Sequence, residues 1–246
     1  MTIYGPVSLP EDQLNQLRKK FPKLLKMVRE NYQKKKIFGR GHDLLHALLT
    51  AQYGIMIADD EHIGELVWIA GICHITDRLF PEEEVQKQLL YYLNEGTSLP
   101  PESKSQIITA VKRHSKPNDP SDDLLTVTLK DADRLANLGP NLFIRAAQFY
   151  NGLLAFDPRY VLEPDPTATY QTPKTVLHDI RCALEWDTDP RFCLRLLKAR
   201  KYATRYFSWI KDSIELLGEQ LEETGLLPFP AEFEGYFDAA YREQQS

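Results

Sequence analysis

Residues 129–139 read LKDADRLANLG and end a segment in which apolar side chains recur at helical spacing. The residues predicted to share one face of this helix are Leu124, Val127, Thr128, Asp131 and Leu135. The helix should run from about Asp122 to Asn137, because Gly139-Pro140 ends it. Asp131 therefore interrupts an apolar face. Burying even a neutral polar group without a partner costs roughly 2–7 kcal/mol, so this carboxylate should pair with a side chain or a cation.

Histidines interrupt the apolar faces of three earlier predicted helices in the same way. They are His46 in a helix over about 42–58, His74 at the end of one over 62–74, and His114 at the end of one over 101–114. Taken singly, each histidine is more often a hydrogen-bonded core residue, and Asp131 is more often a capping or ion-pairing residue. Four such positions on four neighbouring helices favour one shared polar site.

Helical periodicity dominates the rest of the chain, so the predicted fold class is all-α. Further helices are predicted over residues 11–35, 81–93, 174–186 and 190–223. The stretch 156–173 holds four of the 16 prolines and predicts a long ordered loop or lid. Alternating runs typical of strands are nearly absent. We expect one helical domain over residues 1–246, with the helices of 174–246 packed on a core at about 40–150.

Composition and charge exclude several classes of protein. Hydrophobic residues make up 43% of the chain and charged residues 26%, which is typical of a globular protein. The net charge of -5 provides no basic field for a nucleic-acid polymer or an anionic membrane. Three cysteines without a CxxC pair favour neither a disulfide framework nor a zinc knuckle. Because the first residues do not resemble a signal peptide and no apolar run could span a bilayer, a cytoplasmic protein is expected.

Four stretches together resemble the HD-domain metal-dependent phosphohydrolases, in the form found in one bacterial branch. They are HDLLH at 42–46, LVWIAGICHITD at 66–77, IITAVKRHS at 107–115 and LKDADRLANLG at 129–139. The last stretch is the most specific, and the others carry weight as a set. The resemblance covers about residues 40–150 and extends less distinctively downstream. It implies a single helical bundle domain of the HD type.

The resemblance also implies a set of metal ligands, namely His46, His74, residue 75 and Asp131. Residue 75 is Ile in this chain, and Ile has no lone pair to offer. Losing a carboxylate should weaken metal binding by several kcal/mol. The cofactor is therefore either a divalent metal, with Mn, Mg, Co, Ni, Fe and Zn not distinguished, or none at all.

Two other carboxylates are further candidates for the missing ligand. Asp133 follows Asp131 by two residues, and Asp77 follows His74 by three. Asp77 lies two residues beyond position 75, about 200° around a helix, so it can replace that ligand only if the helix ends at His74. In the opening motif, His42 and Asp43 are expected to lie behind His46 and to orient its imidazole.

In the intact family site the metal polarises a phosphoryl oxygen and lowers the pKa of a bound water. The implied substrate is a small phosphorylated molecule or a nucleotide. The residues expected to act on it are Asp131, His114, Arg134 and Arg145, with Arg113 and Arg78 as further cationic candidates. Each arginine alone is more often part of a surface ion pair.

Two functions follow from these residues. The first is a phosphohydrolase with a weakened metal site, and the second is a catalytically inactive HD-fold module that binds a ligand or regulates a partner. Ile75 is the reason for the second. A homodimer through the Tyr and Trp side chains of residues 190–223 is a further alternative, although such aromatic faces more often belong to a core.

Overall fold

A computed structural model of the chain describes residues 11–35, 43–169 and 171–244. Within these ranges the structure is helical and holds no strand beyond two isolated bridges, Leu154 with Thr175 and Thr169 with Thr172. The predicted all-α fold class is therefore confirmed. His42, one of the expected site residues, lies outside the described residues. Across the described ranges, no helix has both the length and the apolar character needed to cross a membrane.

Thirteen α-helices lie in the described part of the chain. They are α1 (Glu11–Lys20), α2 (Pro22–Lys35), α3 (Leu44–Ile57), α4 (Glu61–Cys73), α5 (Thr76–Leu79), α6 (Glu82–Gly96), α7 (Pro101–Arg113), α8 (Leu124–Ala136), α9 (Pro140–Phe149), α10 (Val176–Cys182), α11 (Glu185–Thr188), α12 (Leu197–Glu223) and α13 (Glu234–Gln244). Short 3-10 helices cover Pro158–Tyr160 and Ala231–Phe233.

The boundaries differ from the predicted ones at several places, and the helix predicted over 174–186 is two helices, α10 and α11. The helix predicted over 11–35 is two helices, because Pro22 has no amide hydrogen to donate and starts α2. Helix α9 was not predicted, although α8 does end just before Gly139, which has a φ of 71°, as expected. The helix predicted from residue 190 begins at Leu197, and Asp189 stabilises the preceding turn by accepting hydrogen bonds from Arg191.

The chain divides into two compact units. Of the described residues, the first unit takes in 11–35, 43–136 and 195–199, and the second takes in 137–169, 171–194 and 200–244. The single domain over residues 1–246 stays a prediction. The stretch 156–173, expected to be an ordered loop, lies in the second unit. Asp157 accepts hydrogen bonds from Arg159 and Tyr241, and Asp165 accepts them from Thr167 and Lys174.

The core of the first unit brings together the four helices that carry the candidate site. Helix α3 packs against α4 and α8, and α7 packs against α4 and α8. The largest fully buried side chains of this core include Trp68, Leu66, Ile72, Ile107 and Leu129. Helices α3 and α4 approach closely at Ala51 and Gly71, where a Cβ atom on residue 71 would lie 2.7 Å from the Cα atom of Ala51. Only glycine fits at this contact.

Substituting this glycine provides a test of the α3–α4 packing. Gly71→Ala should lower the free energy of unfolding by about 1–3 kcal/mol, because the added methyl group pushes the two backbones apart. Gly64→Ala, on the same helix, is the matched control, since its Cβ atom would meet only Ala58, at 3.8 Å. That variant should be neutral or stabilised by up to about 1 kcal/mol. Urea unfolding followed by circular dichroism measures both, and equal stability of the two variants would contradict the proposed contact.

Candidate metal centre

His46 is positioned by the start of α3. Asp43 caps this helix, and its carboxylate accepts a hydrogen bond from the backbone amide of His46 at 3.0 Å. The expected role of Asp43 was to orient the imidazole, whereas the contact given by the structure is with the main chain. The cap fixes where the helix begins and thereby which face His46 occupies. The His46 side chain is buried beside α4 and α8.

His74 directly follows α4 and is fully buried. Its Nδ1 atom lies 2.7 Å from the carbonyl oxygen of Gly71. Because a carbonyl can only accept, Nδ1 carries a proton, and Nε2 is the nitrogen that could bind a metal. Metal-binding histidines are usually held in this way, with one nitrogen donating to a backbone carbonyl and the other free for the metal.

Asp133 on α8 completes a group of three. Its Oδ1 atom lies 2.9 Å from Nε2 of His46 and 3.6 Å from Nε2 of His74, and the two Nε2 atoms are 3.2 Å apart. Neighbouring ligands on one metal with bonds of about 2.1 Å are about 3.0–3.4 Å from each other. The donor set and its spacing therefore suit a divalent cation. Within the described residues, these three form the group that could hold a metal.

The carboxyl group of Asp133 is ionised in this setting. Burial alone would raise its pKa, but hydrogen bonds and charge interactions with His46 and His74 outweigh burial and hold the pKa well below its usual value. The side chain is 21% exposed, unlike the two histidines, which are buried. Asp133 is thus an anionic donor on the side of the group that reaches solvent.

Asp131 lies on the opposite face of α8. Two residues correspond to about 200° of rotation along a helix, so Asp131 and Asp133 cannot both point at the histidines. The Oδ2 atom of Asp131 accepts hydrogen bonds from the backbone amides of Arg195 and Leu196, at 2.8 and 2.7 Å. The resemblance implies that Asp131 is a metal ligand, whereas here it faces away from the two histidines. Asp131 is buried, as its place on the apolar face of the helix predicted, but its hydrogen-bond partners are main-chain amides.

His114 stands beside His74 at the end of α7. Its Nδ1 atom donates to the carbonyl oxygen of Val111 at 2.6 Å, and the ring centroids of His114 and His74 are 5.1 Å apart. Burial lowers the pKa of His114, and the neighbouring His74 lowers it further against the opposing charge of Asp133. His114 is therefore neutral at neutral pH, with a lone pair on Nε2.

Comparison with known proteins bears on the fold. No protein-family model matches the sequence, and none of the curated proteins compared with it does. Solved structures do match. An HD-superfamily hydrolase from Bacillus thuringiensis is 19% identical, with a TM-score of 0.61 over 84% of this chain and 98% of that one. This chain has an HD-domain fold. The structural likeness confirms, for the fold, the resemblance seen in the sequence.

Two more solved structures share the HD-domain fold. A protein from Lactobacillus plantarum is 15% identical, with a TM-score of 0.63 over 83% of this chain and 98% of that one. YpgQ from Bacillus subtilis, in a complex with ADP, is 19% identical, with a TM-score of 0.57 over 83% of this chain and 96% of that one.

The residues after His74 in this HD-domain fold do not add a carboxylate to the group. Ile75 is 2% exposed and belongs to the hydrophobic core. Helix α4 does end at Cys73 and the chain does turn, as a replacement by Asp77 requires. Asp77 nevertheless lies on an exposed position of α5, as does Arg78. The carboxylate that joins His46 and His74 is that of Asp133.

The arginines expected to bind phosphate have other partners. Arg134 is buried, donates to Asn118 at 3.0 Å and lies 3.5 Å from Asp131. Arg113 forms ion pairs with Asp119 and Asp122. Arg145 lies in the second unit, where it donates to Asn137. Their roles toward a phosphate group stay predictions.

Sequence reasoning missed a buried ion network next to the DADRL run. The Nζ atom of Lys130 donates to Asp122 at 2.7 Å and to the carbonyl oxygen of Pro117 at 2.8 Å, with both charged side chains fully buried. Arg195 also donates to Asp122, at 2.8 Å. The position of Lys130 directly before Asp131 was the available signal. Nothing in the local sequence indicates the partner at residue 195.

The amide contacts of Asp131 predict a stability effect. Asp131→Ala would leave two partly buried amides without an acceptor and should lower the free energy of unfolding by about 1–3 kcal/mol. Asp131→Asn keeps an acceptor oxygen of the same shape and should lose markedly less. Urea unfolding measures the free energy of unfolding of each variant, and a chelator in the buffer removes any contribution from bound metal. If the alanine variant were as stable as the wild type, the contact would contribute nothing.

Proposed function

We propose that this protein is a metal-dependent phosphohydrolase acting on a small phosphate ester or a nucleotide. The observation that carries the proposal is the convergence of the Nε2 atoms of His46 and His74 with Oδ1 of Asp133, all within 4.8 Å of one another. Two imidazoles and a carboxylate suit a divalent first-row metal such as Mn, Fe, Co, Ni or Zn, and they accommodate Mg less well. The proposed ligand set therefore contains Asp133 in place of Asp131.

A divalent ion at such a site supplies polarisation of a phosphoryl oxygen and a water of lowered pKa. The side chains and the main chain of the protein hold the proposed ligands in place. Gly71 holds His74 in the tautomer that presents Nε2, and Asp133 contributes the negative charge. Asp131 acts through the main chain of Arg195 and Leu196 and is proposed to position α8.

His114 is proposed to exchange a proton with the reacting phosphate ester. Its neutral Nε2 atom can accept a proton from the attacking water or donate one to the leaving oxygen after protonation. The hydrogen bond from Nδ1 to Val111 fixes the ring for this role. A histidine whose pKa is lowered by burial is a suitable base at neutral pH.

The metal centre and one structural neighbour support the proposed substrate class. YpgQ from Bacillus subtilis has been solved in a complex with ADP, and it shares the HD-domain fold with this chain. That complex supports a nucleotide as the first substrate to test. Arg134 and Arg145 stay proposed contacts of its phosphate groups.

An inactive ligand-binding module is the second candidate. Ile75 favours it, because the three convergent side chains include a single carboxylate and residue 75 lies in the apolar core. A weakly held metal would then serve binding without turnover.

A metal and substrate screen tests the proposed function. Protein purified without chelators or nickel resin, supplied with Mn²⁺, Co²⁺, Ni²⁺, Fe²⁺, Zn²⁺ or Mg²⁺, should release phosphate from one or more members of a panel of nucleotides and phosphate esters. Asp133→Asn should reduce both metal binding and turnover at least tenfold, since it removes the anionic ligand. Asp59→Asn is the matched control and should leave both unchanged, because Asp59 is exposed and follows the far end of α3, about 20 Å along the helix from His46.

The outcomes separate the two candidates. Folded protein without metal-dependent turnover on any member of the panel would contradict the hydrolase. Stoichiometric metal and nucleotide binding without turnover would favour the inactive module. Turnover that survives Asp133→Asn would contradict the proposed ligand set.

A further inference from the structure

The candidate metal centre contains a single carboxylate. His46 and His74 are neutral when their Nε2 lone pairs face a cation, so Asp133 supplies the one negative charge of the group. The residue next to His74 is Ile75, which packs into the apolar core, and Asp77 lies on an exposed position. Asp131 is engaged by two main-chain amides. A divalent cation held by these three residues would therefore keep a net charge of about +1.

The spacing of the three donors leaves the rest of the cation open. Ligands on opposite sides of a metal with bonds of about 2.1 Å would be about 4.2 Å apart. The three observed separations are 2.9, 3.2 and 3.6 Å. All three donors thus fit as neighbours on one side, and no pair of them spans the cation. The remaining positions are left for water or for atoms of a ligand.

Of the three donors, Asp133 is the one whose side chain reaches solvent. Asp133 is 21% exposed, whereas His46 and His74 are both about 1% exposed. A ligand would therefore approach beside Asp133. His114, the other buried histidine in this region, brings no negative charge, because an imidazole side chain is either neutral or cationic. A ligand oxyanion would balance the remaining positive charge of the cation.

We infer that the metal and a phosphate-bearing ligand bind this centre jointly, each one tightly only in the presence of the other. The inference rests on the proposed metal site and adds to it an obligatory coupling caused by the single carboxylate. An oxyanion completes both the charge and the coordination of the cation. Coupling between two ligands is commonly 5–150-fold in affinity, and it acts reciprocally on both.

Two titrations of the wild-type protein test the coupling without any variant. Mn²⁺ is titrated into chelator-treated, dialysed protein, and free Mn²⁺ is followed by electron paramagnetic resonance, first alone and then with inorganic phosphate. The Kd for Mn²⁺ should fall at least tenfold with phosphate. The Kd for inorganic phosphate, measured by calorimetry, should fall by the same factor when Mn²⁺ is present. Nitrate at equal ionic strength controls for a general salt effect.

Variants then assign the coupling to particular residues. Asp133→Asn should remove Mn²⁺ binding with and without phosphate, which excludes association of the two ions in solution as the cause. Ile75→Asp places a second carboxylate beside His74 and should tighten binding of Mn²⁺ alone while reducing the effect of phosphate. Ile75→Asn, of the same shape but without charge, should keep the coupling of the wild type.

The outcomes distinguish this inference from the proposed function. Mn²⁺ binding of equal affinity with and without phosphate would overturn the coupling and leave the metal site standing. Absence of Mn²⁺ binding in both conditions would overturn the coupling and the metal-dependent function together. Phosphate binding that Mn²⁺ does not change would also overturn the coupling and would favour the inactive module.

Discussion

The close approach of α3 and α4 is the constraint on which the candidate centre depends. Gly71 permits it, because any Cβ at that position would overlap the backbone of Ala51. The carbonyl group of the same glycine accepts the Nδ1 proton of His74. One residue thus sets the distance between two helices and the tautomer of a proposed ligand. The 3.2 Å between Nε2 of His46 and Nε2 of His74 follows from both.

The two aspartates of helix α8 have different partners because they lie on opposite faces of the helix. Asp131 and Asp133 are two residues apart and therefore face opposite directions. The first accepts hydrogen bonds from the main chain at residues 195 and 196, and the second meets the histidines. Lys130 on the same helix is fully buried against Asp122. Because buried charges need partners, this network limits how α8 can rotate, and the position of Asp133 is fixed with it.

Much of this arrangement could be predicted from the sequence, and the failures have physical reasons. Apolar faces interrupted by His46, His74 and His114 predicted three buried histidines, and the helices carrying them were predicted to within a few residues. The choice between Asp131 and Asp133 could not be made in this way. The apolar face correctly indicated burial of Asp131, but the amides that satisfy it come from residues 64 and 65 positions later. Short helices such as α5 have too few residues to show a period.

The presence of an isoleucine at position 75 has a physical reason in the metal-free protein. Two carboxylates beside two buried imidazoles would repel each other when no cation separates them, and burying an uncompensated charge is strongly unfavourable. An isoleucine at this position adds apolar contacts to the core instead. The metal-free fold is thereby stabilised at the expense of metal affinity. The proposed centre therefore needs no cation to remain folded, whereas a second buried carboxylate would need one to balance its charge.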